Sequence, residues 1–166
     1  RTAAAGAMRD QRAALVEGLA GGPATIADAA RAAEGASAGT RSDAWSARQN
    51  VAHLVLVERQ VFQPRLRQLA AEGIPTWAWT EPASSDDPDV ATLEAALATF
   101  AAVRAATVEH VRSLDDAGWQ RFGHHVTYGR LDVAGLLEVI VDHDVHHRAD
   151  IEALGRGSQR LRAVRP

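Results

Sequence analysis

Cysteine is absent from the 166 residues, which excludes disulfides, thiolate metal ligands and a cysteine nucleophile, so any bound metal must be held by nitrogen and oxygen. An excess of positive charge is absent too. With 18 basic against 21 acidic residues the net charge is -3, which offers no electrostatic footprint for a polyphosphate and argues against nucleic acid as a partner. No apolar run reaches the roughly 18 residues of a membrane span, and the opening Arg1-Thr2-Ala3-Ala4-Ala5-Gly6-Ala7-Met8 lacks the apolar centre of a secretory signal. The cytoplasm is the expected location, with no membrane partner, and a chain opening on Arg1 is expected to have lost some leading residues. Strand signals are scarce: β-branched residues are diluted among Ala, Leu, Arg and Glu, and the six prolines and most of the thirteen glycines fall between periodic segments. That composition predicts an all-α fold, one domain over 1–166 with a substantial core.

The periodic segments give the helices. Met8, Leu15, Val16 and Leu19 belong to a first helix over 2–20 that Gly21-Gly22-Pro23 should stop. Thr25-Ile26-Ala27-Asp28 can start a short second helix, and 35–40 reads as a mobile loop. In Ser46-Ala47-Arg48-Gln49 the serine can accept from an early helical amide while the glutamine reaches back to the serine's own. The helix so opened should run to about Glu72, closed by Gly73 and Pro75 and kinked at Pro64. Asp87 and Pro88 read as the cap and first residue of the next helix, whose inner side is Val90, Leu93, Leu97, Phe100, Val103 or Arg104, Thr107, Val111 and Leu114. The acidic 84–89 run before it is a helix boundary rather than a cation loop. Residues 115–131 form a connection rich in aromatic and histidine side chains, among them Trp119, Phe122, His125 and Tyr128. Asp132 then caps a last helix ending near Gly155, and the tail 156–166 reads as solvated or contacting a dimer partner.

Three of the seven histidines fall within this last helix, in Val141-Asp142-His143-Asp144-Val145-His146-His147. Val133, Leu136, Ile140, His143, His147, Ile151 and Leu154 succeed one another at steps of three or four, the spacing of a seam turned toward a helical core. His143 and His147 interrupt that seam from inside it, with His146 at its edge. Buried imidazoles without partners cost free energy, and an i,i+4 pair can direct two nitrogens to one point, so a shared metal ion is the economical explanation. A third ligand should come from a facing helix, and His53 lies within the arc of Leu54, Leu56, Val57 and Val61, with Arg48, Glu58, Arg59 and Arg67 outside it.

Trp45-Ser46, His53-Leu54, Glu58, Gly129-Arg130-Leu131, His143-Asp144 and His147, in that order, resemble the DinB-like (DinB/YfiT) family of metalloenzymes over about 45–151. The resemblance implies an up-down-down-up four-helix bundle, a homodimer, and a divalent metal on His53, His143 and His147. It also implies a range of activities: thiol-dependent S-transfer or isomerisation with mycothiol or bacillithiol, metal-dependent hydrolysis, and roles not assigned. The family often has glutamine where this chain has Asp150.

Three neutral imidazoles leave a metal its full charge and an open position, where a water or a thiol is acidified toward neutral pH. Zinc and nickel both suit such ligands. Asp144 and Asp150, three positions to either side of His147, are candidates to hold its second ring nitrogen. His125 is a candidate to reach the metal-side cleft from its loop, and Arg65, Arg104 and Arg148 are candidates for a carboxylate of a thiol cofactor. The expected function is a metal-dependent thiol S-transferase or isomerase acting on a small molecule. A metal-dependent hydrolase, a non-enzymatic metal-binding or stress-response bundle, and a structural bundle with hydrogen-bonded core histidines are the alternatives.

Overall fold

The computed structural model describes residues 2–34, 45–71, 73–80, 82 and 88–163, with side chains between 6 and 156. The predicted loop at 35–40 and acidic residues 84–87 lie outside them.

Four rods make a helical bundle. They are α1 (Thr2–Glu34), the continuous rod α2 (Ala47–Val57) and α3 (Gln63–Ala70), α4 (Leu93–Arg112) and α6 (Val133–Ala163). α1 lies along α6 and α4, and α2 packs on α4 and α6. Among the described residues no helix is long and apolar enough to cross a membrane. The seam on α6 is as its periodicity demands: Val133, Leu136, Ile140 and Ile151 are buried. Full burial of each such side chain contributes about 1.5–3 kcal/mol. The capping box at Ser46 and Gln49 is present on both sides, and Asp132 caps α6 by accepting from the Gly135 amide at 2.9 Å.

Several boundaries differ from the sequence reading. Gly21-Gly22-Pro23 does not stop α1, which absorbs the short second helix as well. Pro23 cannot donate to the carbonyl of Leu19 four residues back. Arg104 supplies the missing donor, its Nη1 lying 3.2 Å from Leu19 O. Gly22 allows this approach, since a Cβ there would fall 2.5 Å from Asp144 Oδ2 and 3.0 Å from Arg104 Nη1. The Pro64 kink takes the form of a π-helical turn over Glu58–Phe62, with the Gln63 amide donating to Glu58 O five residues back. Displacing the Gln60 carbonyl from a proline ring widens the turn before it.

α4 starts at Leu93 under a Thr92 cap that accepts from the Ala95 amide at 3.1 Å, after a 3₁₀ turn over Pro88–Val90. α6 runs past Gly155, where an added Cβ would meet Ala33 Cα of α1 at 3.9 Å, because an interior glycine weakens a helix without ending it.

The 115–131 connection carries structure the composition did not signal. After α5 (Asp116–Gln120), β2 (Phe122–His125) and β3 (Gly129–Asp132) form an antiparallel hairpin, and β1 (Thr76–Trp77) joins β2 in parallel, pairing Trp77 with His125. Gly129, at φ 72°, takes the left-handed conformation that closes the turn. Strands of two and four residues are too short to show a period, so only their pairing reveals them.

The core divides in two along the bundle. The division falls between Leu19 and Ile26 on α1, Phe100 and Val108 on α4, and Ile140 and Ile151 on α6. Arg104, Glu58, Thr107 and Asp144, all buried, occupy the level between. Here the helical-wheel reading of Glu58 as outward is corrected: α4 packs on that side of the rod, and Glu58 is fully buried against it.

Candidate metal centre

His53 stands two turns into α2 behind its capping box, and His143 and His147 lie one turn apart on α6. The three rings converge, with centroid separations of 5.5 Å for His53 and His143, 4.9 Å for His53 and His147, and 4.5 Å for His143 and His147. One nitrogen from each lies within 4.8 Å of the other two, so small side-chain rotations bring all three to one ion. Phe62 meets His143 edge-on at 5.7 Å, and Trp45 lies nearly parallel to His147 at 6.2 Å and 5.0 Å from His53. These aromatic contacts restrict how far the rings can turn.

The donor chemistry fits a cation. Burial above all, then His147 and His53, holds His143 at about 3, and burial with His53 holds His147 at about 4. Both rings are therefore neutral at neutral pH and offer lone pairs. His143 Nδ1 is buried with no hydrogen-bond partner among the described residues, so the protein itself leaves that ring unsatisfied.

Asn50 sets the tautomer of His147. Its Oδ1 lies 2.8 Å from His147 Nδ1, and because an amide oxygen only accepts, Nδ1 carries the hydrogen and Nε2 the lone pair. The amide is oriented in turn by its NH₂, which donates to Ser46 O at 3.0 Å and Trp45 O at 3.4 Å. The sequence reading gave this role to Asp144 or Asp150, and the structure corrects it: Asp144 is taken up by Arg104, and Asp150 is exposed. Asn50 was legible only as an early helical residue one turn before His53. Asn50→Ala should weaken metal affinity about 10–100-fold with the helical content retained, as competition with a fluorescent chelator would measure. Asn50→Asp, which still accepts from Nδ1–H, should keep most of the affinity; equal affinity in Asn50→Ala and wild type would contradict the assignment.

The other candidates separate. Arg148 is a surface residue 3.0 Å from Glu152. Arg104 is buried, donating from Nε and Nη2 to Glu58 at 3.1 Å each, from Nη1 and Nη2 to Asp144 at 2.6 and 3.0 Å, and to Leu19 O, so all five of its N–H groups are engaged. Burial pushes both Glu58 and Asp144 above the ordinary carboxylate range. His125 is not in the cluster but shares with it a cavity of about 230 Å³ that also holds His53, His143 and Arg65 in its wall. Trp79, Thr80, Pro82 and, from the hairpin turn, Tyr128 also line this cavity.

The sequence profile of the DinB superfamily matches residues 7–151. Among solved structures the chain is similar to YfiT from Bacillus subtilis, with 24% sequence identity, 89% of this chain and 87% of that chain covered, and a TM-score of 0.72. That protein is described as a probable metal-dependent hydrolase with an unusual four-helix bundle topology, and the likeness shows the fold. No curated protein matches the chain.

Proposed function

Because this chain belongs to the DinB superfamily, we propose that it is a metal-dependent hydrolase whose divalent ion is held by His53, His143 and His147. The observation that carries the reading is the convergence of three imidazoles, with His53 and His143 in the wall of a cavity. A divalent ion there supplies Lewis acidity, polarising a carbonyl and lowering the pKa of a water. The chain's own residues supply the rest. Neutral His143 and His147 add no charge to offset the cation, Asn50 fixes the lone pair of His147, and Phe62 and Trp45 restrain the rings. Val57, Val61 and Val139 exclude water from the side of the cavity where the body of a small acyl compound would lie. Zinc and nickel both suit this donor set.

Protein purified without an affinity histidine tag should carry about one divalent ion per chain by elemental analysis. It should also turn over members of an ester and amide panel, and lose both properties in His143→Ala. A sulfur-to-metal charge-transfer band in cobalt-substituted protein with mycothiol or bacillithiol, together with turnover of an electrophile, would move the assignment to thiol transfer. A metal-loaded protein silent toward every ester, amide and electrophile would leave a metal-binding bundle and remove the enzyme.

A further inference from the structure

The cavity beside the histidine cluster contains a cation with few partners among the described residues. Arg65 is 7% exposed, and among the described residues its guanidinium makes one hydrogen bond, from Nη2 to Ala78 O at 2.8 Å, while lying 5.7 Å from the Trp77 ring. No carboxylate pairs with it among the described residues. Arg104, one layer away, shows how this protein accommodates a buried guanidinium whose role is structural alone, since every N–H finds an acceptor and two carboxylates face it. A buried, permanently charged group with most of its donors unused is costly unless a ligand completes it.

A second donor stands in the same wall. His125 Nδ1 accepts from the Thr127 amide at 3.1 Å and the Tyr128 amide at 3.4 Å, so in the neutral ring the hydrogen is on Nε2. That Nε2 is buried and has no partner among the described residues. Burial, and after it Arg65, lowers the pKa of this ring, which keeps it a neutral donor rather than a second cation. The one described acid in the lining, Asp142, is engaged with His146, 3.4 Å from its Nδ1.

We propose that Arg65 and the Nε2–H of His125 form a carboxylate-binding subsite, so that the compound taken into this cavity is a small apolar molecule with a free carboxylate. The fork of Arg65 meets the two carboxylate oxygens, and His125 adds a neutral donor. Val57, Val61 and Phe62 contact the apolar body, and the far end of the molecule is directed to His53 and His143. This deepens the hydrolase reading, on which it rests for the reaction, since it makes the substrate a carboxylate-bearing ester or amide. The subsite itself uses no metal ligand.

The test is binding, measured by calorimetry on chelated and on zinc-loaded protein, with 3-phenylpropanoate as probe and 3-phenylpropan-1-ol as its uncharged match. Wild type should prefer the acid by about tenfold or more in both forms. Arg65→Gln should bring the ratio near one while leaving the alcohol's affinity unchanged, which also shows the apolar wall intact. Arg65→Lys should retain part of the preference, and His125→Phe should lose a smaller share than Arg65→Gln, because a neutral donor contributes less. Equal binding of acid and alcohol by wild type, or a preference that survives Arg65→Gln, overturns the subsite; an acid preference seen only with zinc present also overturns it, because the carboxylate is then on the metal. Zinc uptake is read separately, so a chain that binds no zinc yet prefers the acid keeps the subsite and loses the hydrolase.

Discussion

Arg104→Met should cost about 3–5 kcal/mol of folding stability, the range expected when one partner is removed from a buried ion network. Arg104 is 1% exposed and uses all five N–H groups on Glu58, Asp144 and Leu19 O. Without it two carboxylates face each other in the interior, and the Leu19 carbonyl, whose helical partner would have been the amide that Pro23 lacks, has no donor. The loss should depend on pH with a definite sign. Burial already raises Glu58 and Asp144, and removing the cation raises them further. Acids whose folded pKa stands above the unfolded value take up protons more readily in the folded state, so the variant regains stability as pH falls and loses it as pH rises through the folded values. Urea unfolding at pH 8 and pH 5 should therefore show the larger deficit at pH 8. A deficit under about 1 kcal/mol at pH 8 would mean that water or repacking replaces the guanidinium.

His147→Ala should abolish stoichiometric metal binding, because two imidazoles on different helices lack both the i,i+4 pair and the Asn50-oriented donor. His124→Ala, on an exposed strand position, should leave metal content unchanged. Chelation of the wild type should lower the melting temperature without removing the helices, since the two apolar clusters hold the bundle on either side of the histidine layer. Full metal occupancy in His147→Ala would eliminate the proposed ligand set, and complete unfolding on chelation would show that the core is insufficient alone. The metal-free protein should also carry an acid sensitivity from these rings. His143 and His147 are held at about 3 and about 4, below the 6.5 of the unfolded chain, so they are neutral in both states above pH 6.5 and impose no cost there. Below it the unfolded chain binds protons that the folded chain refuses, and stability falls across the interval down to about pH 4 for His147 and about pH 3 for His143. Glu58 and Asp144 act in the opposite direction, so the quantity to read is the slope, which should be shallower in metal-free His147→Ala than in metal-free wild type.

Local rules carried far where a residue's role depends on its own helix. The seam from Val133 to Ile151, the inward face of His53, the Ser46 capping box and the Asp132 cap all follow from periodicity and end chemistry that a helix imposes on its own side chains. They failed where a neighbouring element changes the outcome. Gly21-Gly22-Pro23 is a stop signal in isolation, but the carbonyl that Pro23 orphans has a donor from another helix, so α1 continues. Glu58 looks outward on a wheel drawn around one core, whereas α4 covers that side as well. Val103 and Arg104 were equivalent on the wheel of α4, and only the two carboxylates on facing helices select Arg104 for the interior.

What the sequence alone determined is a chain built mainly of helices, the register of its long helices, and the three histidines that share an inward direction on two of them. Those are properties of spacing, and spacing survives without neighbours. Tertiary structure decided which groups those histidines and the other inward polar residues meet: Asn50 rather than a carboxylate behind His147, Asp144 paired with Arg104, and His125 and Arg65 brought from a hairpin and a distant helix to one cavity wall. The reason is the range of the forces involved. Helix periodicity is set within a few residues along the chain, while hydrogen-bond and charge partners here are separated by 40 to 97 positions and are chosen by how the rods pack.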